Sequence, residues 1–170
     1  MILVVFGLPG SGKTYFAQHL AKRLGAAYLS SDRIRREILE RRMYSEAEKH
    51  QVYKEMFARI PFALEHSSYL ILDASFSRKS MRMLLEDLAK QLEQEVRYVE
   101  IQAAEDVIRE RVAKKRPFSE ADFAVYQKVK GQFDPLTEEH LILQSGRDNL
   151  EEMLSICIKH LSLGHEASTH

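Results

Sequence analysis

At 170 residues the chain is long enough for one domain that buries roughly 70% of its extended-chain surface. Its composition, 45% apolar and 29% charged, is that of a globular protein, and 25 basic against 25 acidic residues leave a formal net charge of zero. That balance excludes an overall basic field drawing the protein to nucleic acid or an anionic membrane, so any such partner must meet a local patch.

The opening run ILVVF (2–6) is too short for a signal-peptide core and has no basic flank before it, so neither a leader nor a membrane span is expected. It reads as a buried strand. GLPGSGKT (7–14) follows, and it fits G-x-x-x-x-G-K-[ST] in full at Gly7, Gly12, Lys13 and Thr14. Three glycines weaken a strand or a helix, so their presence between a strand and a helical pattern (12–24) calls for a gain elsewhere. A bound triphosphate supplies one, whereas a chance glycine-rich turn does not. Backbone N–H groups from about Gly10 to Thr14 would meet phosphate oxygens at the positive end of the helix dipole. Lys13 would reach the β- and γ-phosphates, and the Thr14 hydroxyl would hold Mg²⁺. The expected nucleotide-binding set is Gly7, Pro9, Gly10, Ser11, Gly12, Lys13, Thr14 and Tyr15.

A second strand, AAYLS (26–30), leads into SDRIRRE and a helical stretch expected over 32–42. Asp32 stands just beyond the strand end, and Arg35 follows three residues later. Asp32 has two readings: an N-cap, for which Asp is preferred, or a general base for a phosphoryl acceptor. SEAE (45–48) matches a capping box and opens a helix expected over 46–66. YLILD (69–73) is a third strand ending in Asp73, the Walker B arrangement, in which a carboxylate places Mg²⁺ directly or through water. SRKSMR then puts Arg78 and Arg82 one turn apart at the start of a helix over 78–93, where a solvated face explains them equally well.

The fourth strand, VRYVEI (96–101), precedes two helical stretches (105–115 and 120–131) rich in cations: Arg109, Arg111, Lys114, Lys115 and Arg116, ahead of Pro117. SEAD (119–122) matches a second capping box. An arginine-bearing helix pair between two strands suits a lid over a nucleotide, at about 103–132, with Arg111 and Arg116 countering charge on the transferring phosphoryl group. LILQ (141–144) is the last strand, and a helix over 148–161 carries the lone Cys157, an expected buried thiol that fits a reducing cytoplasm. One unit over 1–163 is expected, with a disordered tail over 164–170. Continuous apolar strands alternating with helices imply βαβ units and one parallel sheet covered on both faces. The seven histidines, His50 and His66 among them, show no metal-ligand spacing, which leaves a zinc hydrolase without support.

Taken together, GLPGSGKT, SSDRIRRE, LILDASF and the RERVAKKRPFSEADFAVY…FDPL segment resemble the zeta-toxin and polynucleotide-kinase-like group of P-loop kinases, often annotated only as predicted AAA-type ATPases. The resemblance covers about residues 1 to 160. It implies a P-loop NTPase fold of the nucleoside-monophosphate-kinase type, with a five-stranded parallel sheet in the order 2-3-1-4-5 and a helical lid. In bacterial and phage 5′-hydroxyl polynucleotide kinases the acid of Asp-x-x-Arg is the general base and the arginine engages an acceptor-side phosphate. The resemblance carries these roles to Asp32 and Arg35. Where that group commonly shows Arg-x-x-x-Arg in the lid, this chain has Arg111, Lys115 and then Arg116, and lysine offers a point charge in place of a planar fork.

The expected activity is ATP- and Mg²⁺-dependent transfer of a γ-phosphate to a hydroxyl, foremost the 5′-OH end of RNA or DNA. The basic cluster Arg33, Arg35, Arg36, Arg41 and Arg42 would track the backbone. Against that cluster, Arg36 with Glu37 and Glu40 also suits simple helix-surface pairs. The competing readings are a kinase of a small sugar, nucleoside or antibiotic hydroxyl, and a nucleotide-dependent switch with no acceptor.

Overall fold

The computed structural model describes residues 1–40, 45–114 and 123–167, with side chains described as far as Ser162. Five strands, β1 (Ile2–Phe6), β2 (Ala27–Ser30), β3 (Leu70–Asp73), β4 (Val96–Gln102) and β5 (Leu141–Gln144), form one sheet. Among the described residues seven helices lie between and after them: α1 (Lys13–Leu24), α2 (Ser31–Ile38), α3 (Glu46–Glu65), α4 (Lys79–Gln91), α5 (Glu105–Ala113), α6 (Phe123–Gly131) and α7 (Leu150–Ala167). The sheet order is β2-β3-β1-β4-β5, and every pairing is parallel. This is the order that the sequence resemblance implied.

Residues along β1 alternate between two cores. Ile2, Val4 and Phe6 pack with Leu70, Leu72 and side chains of α3 and α4, while Leu3 and Val5 pack with Phe16 and Leu20 of α1 and Leu154 and Cys157 of α7. Both faces are therefore covered, which is why β1 and β3 are uninterrupted apolar runs with no polar face. Register brings the carboxyl ends of three strands level: Asp73 of β3 lies beside Val5 of β1 and Ser30 of β2. The loops leaving these three strands share one edge of the sheet, where ligands meet a doubly wound fold.

Several boundaries differ from expectation. α2 stops at Ile38, because Leu39 takes an extended conformation (φ −122°, ψ 119°). α7 runs to Ala167, so 164–167 are helical where a frayed tail was expected; once a helix is nucleated, each added residue gains a backbone bond. The Ser45 box forms in half, with the Glu48 N–H donating to Ser45 Oγ at 3.2 Å. The SEAD box (119–122) and the basic residues Arg41, Arg42, Lys115 and Arg116 lie outside the described residues. Among the described residues no helix is long and apolar enough to cross a membrane.

Candidate active site

The loop between β1 and α1 begins at Gly7, buried against the carbonyl of Ile101, and passes half-buried Pro9. All three of its glycines are demanded by both conformation and space: Gly7, at φ 146°, would drive a Cβ into the Ile101 carbonyl oxygen. Gly10 has φ 79°, and a Cβ there would lie 2.8 Å from Val112 Cγ1 and 3.0 Å from Ile108 Cγ2 of α5. Gly12, at φ 94°, would place a Cβ 2.9 Å from Ser145 Oγ and 3.0 Å from Arg111 Nη1. Side chains rarely adopt these φ values, and here none would fit. Gly12 is also the N-cap of α1, whose first intrahelical bond runs from Phe16 N–H to the Gly12 carbonyl at 3.1 Å. The amides of Lys13, Thr14 and Tyr15 thus open the helix with no helical acceptor of their own, as anion binding at a helix start requires. Ser11 is 1% exposed, and its Oγ has no hydrogen-bond partner. The Tyr15 side chain points outward, 59% exposed, with its ring 4.4 Å from that of His19.

Asp73 ends β3 beside this loop and is 2% exposed. Tyr28 Oη donates to its Oδ2 at 2.6 Å, while Oδ1 has no hydrogen-bond partner. Burial pushes the Asp73 carboxyl above its ordinary value; the Lys13 charge, the Tyr28 bond and the nearby Thr14 hydroxyl pull it partly back. A buried carboxylate oxygen lacking a donor, beside a threonine hydroxyl, fits Mg²⁺, a hard cation that takes one or two protein oxygens and completes its shell with water and phosphate. Thr14 and Asp73 would hold it.

The structure removes the capping reading of Asp32. α2 begins at Ser31, with Ser30 in the N-cap position, so Asp32 is the second helical residue. Its side chain is 39% exposed and meets Arg35 Nη1 at 3.4 Å, whereas Arg35 is nearly enclosed at 9%. Ser30, two residues before Asp32, pairs with Asp73 in the sheet register, so Asp32 opens α2 at the same strand ends. Lys13 and Thr14 at the start of α1, Asp32 in the first turn of α2 and Asp73 at the end of β3 thus lie at one edge of the sheet.

Arg111 lies on α5 and clamps the loop from outside. Its Nη1 donates to the carbonyls of Ser11 (2.9 Å) and Gly10 (3.4 Å), and its Nη2 to that of Gly146 (2.5 Å). Neighbouring Arg109 stacks over Phe123 of α6 at 3.8 Å. Glu37, which the sequence would pair along its own helix, instead accepts from Arg59 of α3 at 2.6 Å.

Sequence reasoning missed three supports. Arg82 is not on a solvated face: it is 2% exposed, and its guanidinium donates to the carbonyls of Phe76 (2.7 Å), Asp134 (2.8 Å) and Pro135 (3.3 Å). Asp134 caps α4 from 55 residues away, accepting the Lys79 N–H at Oδ2 (3.0 Å). Tyr28 was passed over as one apolar residue in a strand, although the implied sheet order sets β2 beside β3 and so puts a phenol within reach of Asp73.

Comparison with known proteins agrees with this layout. A family model described as AAA domain matches residues 2–136. Among curated proteins, none matches the chain in sequence. A gluconokinase from Sinorhizobium meliloti 1021 superposes with a TM-score of 0.73 at 16% identity, covering 99% of this chain and 97% of that one. The Mycobacterium tuberculosis APS kinase CysC, in complex with AMPPNP and APS, gives 0.70 at 17% identity over 95% and 96%. Chaetomium thermophilum Kti12, in complex with ADP-AlF3, gives 0.69 at 18% identity over 94% and 98%. At such identities these likenesses show the fold. With the family model spanning most of the chain, and the glycine loop and sheet order in place, the chain belongs to this AAA domain family.

Proposed function

We propose that the protein transfers the γ-phosphoryl group of ATP, or another NTP, to a hydroxyl group of a small polar acceptor, with Mg²⁺ as cofactor. The observation that carries this reading is the meeting of Lys13, Thr14, Asp32 and Asp73 at the ends of β1, β2 and β3. Loop amides from Gly10 to Thr14 hold the phosphates, and Lys13 neutralises charge on the β- and γ-groups. Mg²⁺, held by Thr14 and Asp73, supplies further charge neutralisation when bound. The Asp32 carboxylate takes the proton from the acceptor hydroxyl, whose oxygen bonds to the γ-phosphorus as the bond to the bridging oxygen breaks and ADP departs. Arg35 orients Asp32 through their contact. Arg111, with Arg116 beyond the described residues, serves the lid.

The small acceptor is favoured by a partly open cavity of about 330 Å³ beside the strand ends, lined by hydroxyl and charged side chains among others and within the size range of small-molecule sites. The gluconokinase and APS kinase among the structural neighbours are named for small acceptors. A second reading, the 5′-OH end of RNA or DNA, draws support from the Asp32–Arg35 pair, the pattern that polynucleotide kinases use.

The test is incubation with γ-labelled ATP and Mg²⁺ against a panel of small alcohols, sugars and 5′-hydroxyl oligonucleotides, with Lys13→Ala as control. Label is expected on a small hydroxyl compound, and the control should fail to transfer it. Label only on oligonucleotides would establish the second reading. A protein that binds ATP and phosphorylates nothing would be the nucleotide switch.

A further inference from the structure

Ser75 and Ser77 flank a residue with an unusual backbone. Phe76 has φ 41°, a left-handed conformation that costs a bulky residue of order 1–2 kcal/mol, and its ring is wholly buried. Its N–H donates to Tyr53 Oη at 2.9 Å, its carbonyl accepts from Arg82 Nη1 at 2.7 Å, and its ring meets that of Tyr53 edge-on at 5.1 Å. The conformation sends Phe76 into the core and leaves both neighbouring serines on the wall of the 330 Å³ cavity between α3 and the start of α4. Tyr53 and Ser80 add hydroxyls to that wall, and Tyr53 Oη lies 3.5 Å from Ser75 Oγ.

The charged groups on the wall are not evenly matched. Lys49 is paired with Glu46 at 2.9 Å, and Asp134 already accepts the Lys79 N–H. Arg78 is half-buried in the same wall, yet its guanidinium makes no hydrogen bond or ion pair among the described residues. Its charge, with that of Lys128 from α6, is felt at Glu46. A guanidinium held at a cavity wall with its fork unused is a bidentate site for a carboxylate, sulfate or phosphate, and serine hydroxyls donate to or accept from alcohols.

We propose that this cavity is the acceptor site and that Arg78 selects for an acceptor bearing an anionic group as well as hydroxyls, a sugar acid or a sugar phosphate in kind. The inference rests on the kinase reading above and adds the chemical class of the acceptor. Ser75, two residues beyond Asp73, marks the end of the cavity nearest the strand ends where transfer would occur. Arg78 lines the same cavity three residues further on, so one small molecule can offer a hydroxyl for transfer and an anion for recognition.

The experiment fills the P-loop with Mg²⁺ and AMPPNP, so that added anions cannot bind there, and measures binding calorimetrically. The probes are matched sets: glucose, glucuronate and glucose 1-phosphate, and glycerol with glycerate. At least one anionic member is expected to bind tenfold or more tightly than its neutral partner. Arg78→Gln should erase that preference while leaving AMPPNP affinity unchanged, and Arg78→Lys, which keeps the charge without the fork, should retain part of it. Equal binding within every set, no binding by any anionic probe, or a preference that survives Arg78→Gln would each overturn the proposal. Arg78-dependent binding without transfer from ATP would uphold the site and refute the kinase reading. Transfer to a neutral sugar unaffected by Arg78→Gln would do the reverse.

Discussion

Tyr28 Oη donates a 2.6 Å hydrogen bond to Asp73 Oδ2 across two neighbouring strands, and it leaves the other oxygen of that buried carboxylate, Oδ1, without a partner. The bond fixes the rotation of a carboxyl group that packing alone would not orient. Burial and the Asp73 charge push the Tyr28 hydroxyl far above its ordinary range, so it remains a donor at every working pH. Tyr28→Phe removes that donor without changing shape. The expected result is a three- to tenfold weaker divalent-cation affinity, read by Mn²⁺ titration followed by electron paramagnetic resonance, with the melting temperature little changed. Unaltered Mn²⁺ affinity would show that Asp73 needs no such support.

Asp32→Asn separates chemistry from folding. Asp32 makes no cap, so asparagine should cost only the charge in the first turn of α2 and part of the contact with Arg35, about 0.5–1 kcal/mol of stability. It cannot take a proton, so transfer should fall about 10²–10⁴-fold at saturating substrate. Single-turnover rates and a urea melt on the same preparation check both halves. Wild-type transfer by the variant would place the base elsewhere.

Arg82→Met keeps much of the stem but strips one buried and two part-buried carbonyls of their donor. Losing charged donors to buried acceptors places the cost at about 2–4 kcal/mol. A lowered urea midpoint with unchanged slope is the expected signature. A variant as stable as the parent would mean that water replaces the guanidinium without loss.

Cys157 gives a pH test. Burial raises its thiol to about 12 from an ordinary 9.0. Above pH 9 the unfolded chain loses this proton while the native state keeps it, so the unfolded state binds fewer protons and is favoured. The thiol's contribution is therefore complete below pH 9 and declines between about 9 and 12, by at most about 1.4 kcal/mol per pH unit. Cys157→Ala should flatten the loss of stability in that window. At pH 8 a thiol reagent should leave the folded protein untouched and label it in urea.

The parts legible in the sequence are those with short-range causes. β1 and β3 showed themselves as unbroken apolar runs because both of their faces are covered, and the glycine loop showed its spacing because backbone geometry and phosphate contact act within eight residues. Asp32 and Asp73 were legible as strand-end acids. The sheet order came with the family resemblance, since nothing in composition orders strands. Other features depended on distant chain. Arg82 looks like any helix-surface arginine until residues 133–136 fold over it, and Asp134 gives no local sign that it caps a helix starting at Lys79. The Arg111 clamp on Ser11 and Gly146 joins three segments far apart in sequence, so its helical position alone pointed only to a lid.

The Arg82 contacts also bear on the order in which a ribosome delivers this chain. Once Gln102 has emerged, every strand needed for the β2-β3-β1-β4 pairings is present, and the nascent chain has the means to build most of its sheet. Arg82 at that moment has only the Phe76 carbonyl, because its other two acceptors belong to residues 134 and 135. Translation pausing before Asp134 would therefore hold the protein with an under-satisfied guanidinium beneath the turn that carries Ser75 and Ser77, the region first open to a chaperone or a protease. The segment FDPL is the clasp, and it is made after everything that it fastens.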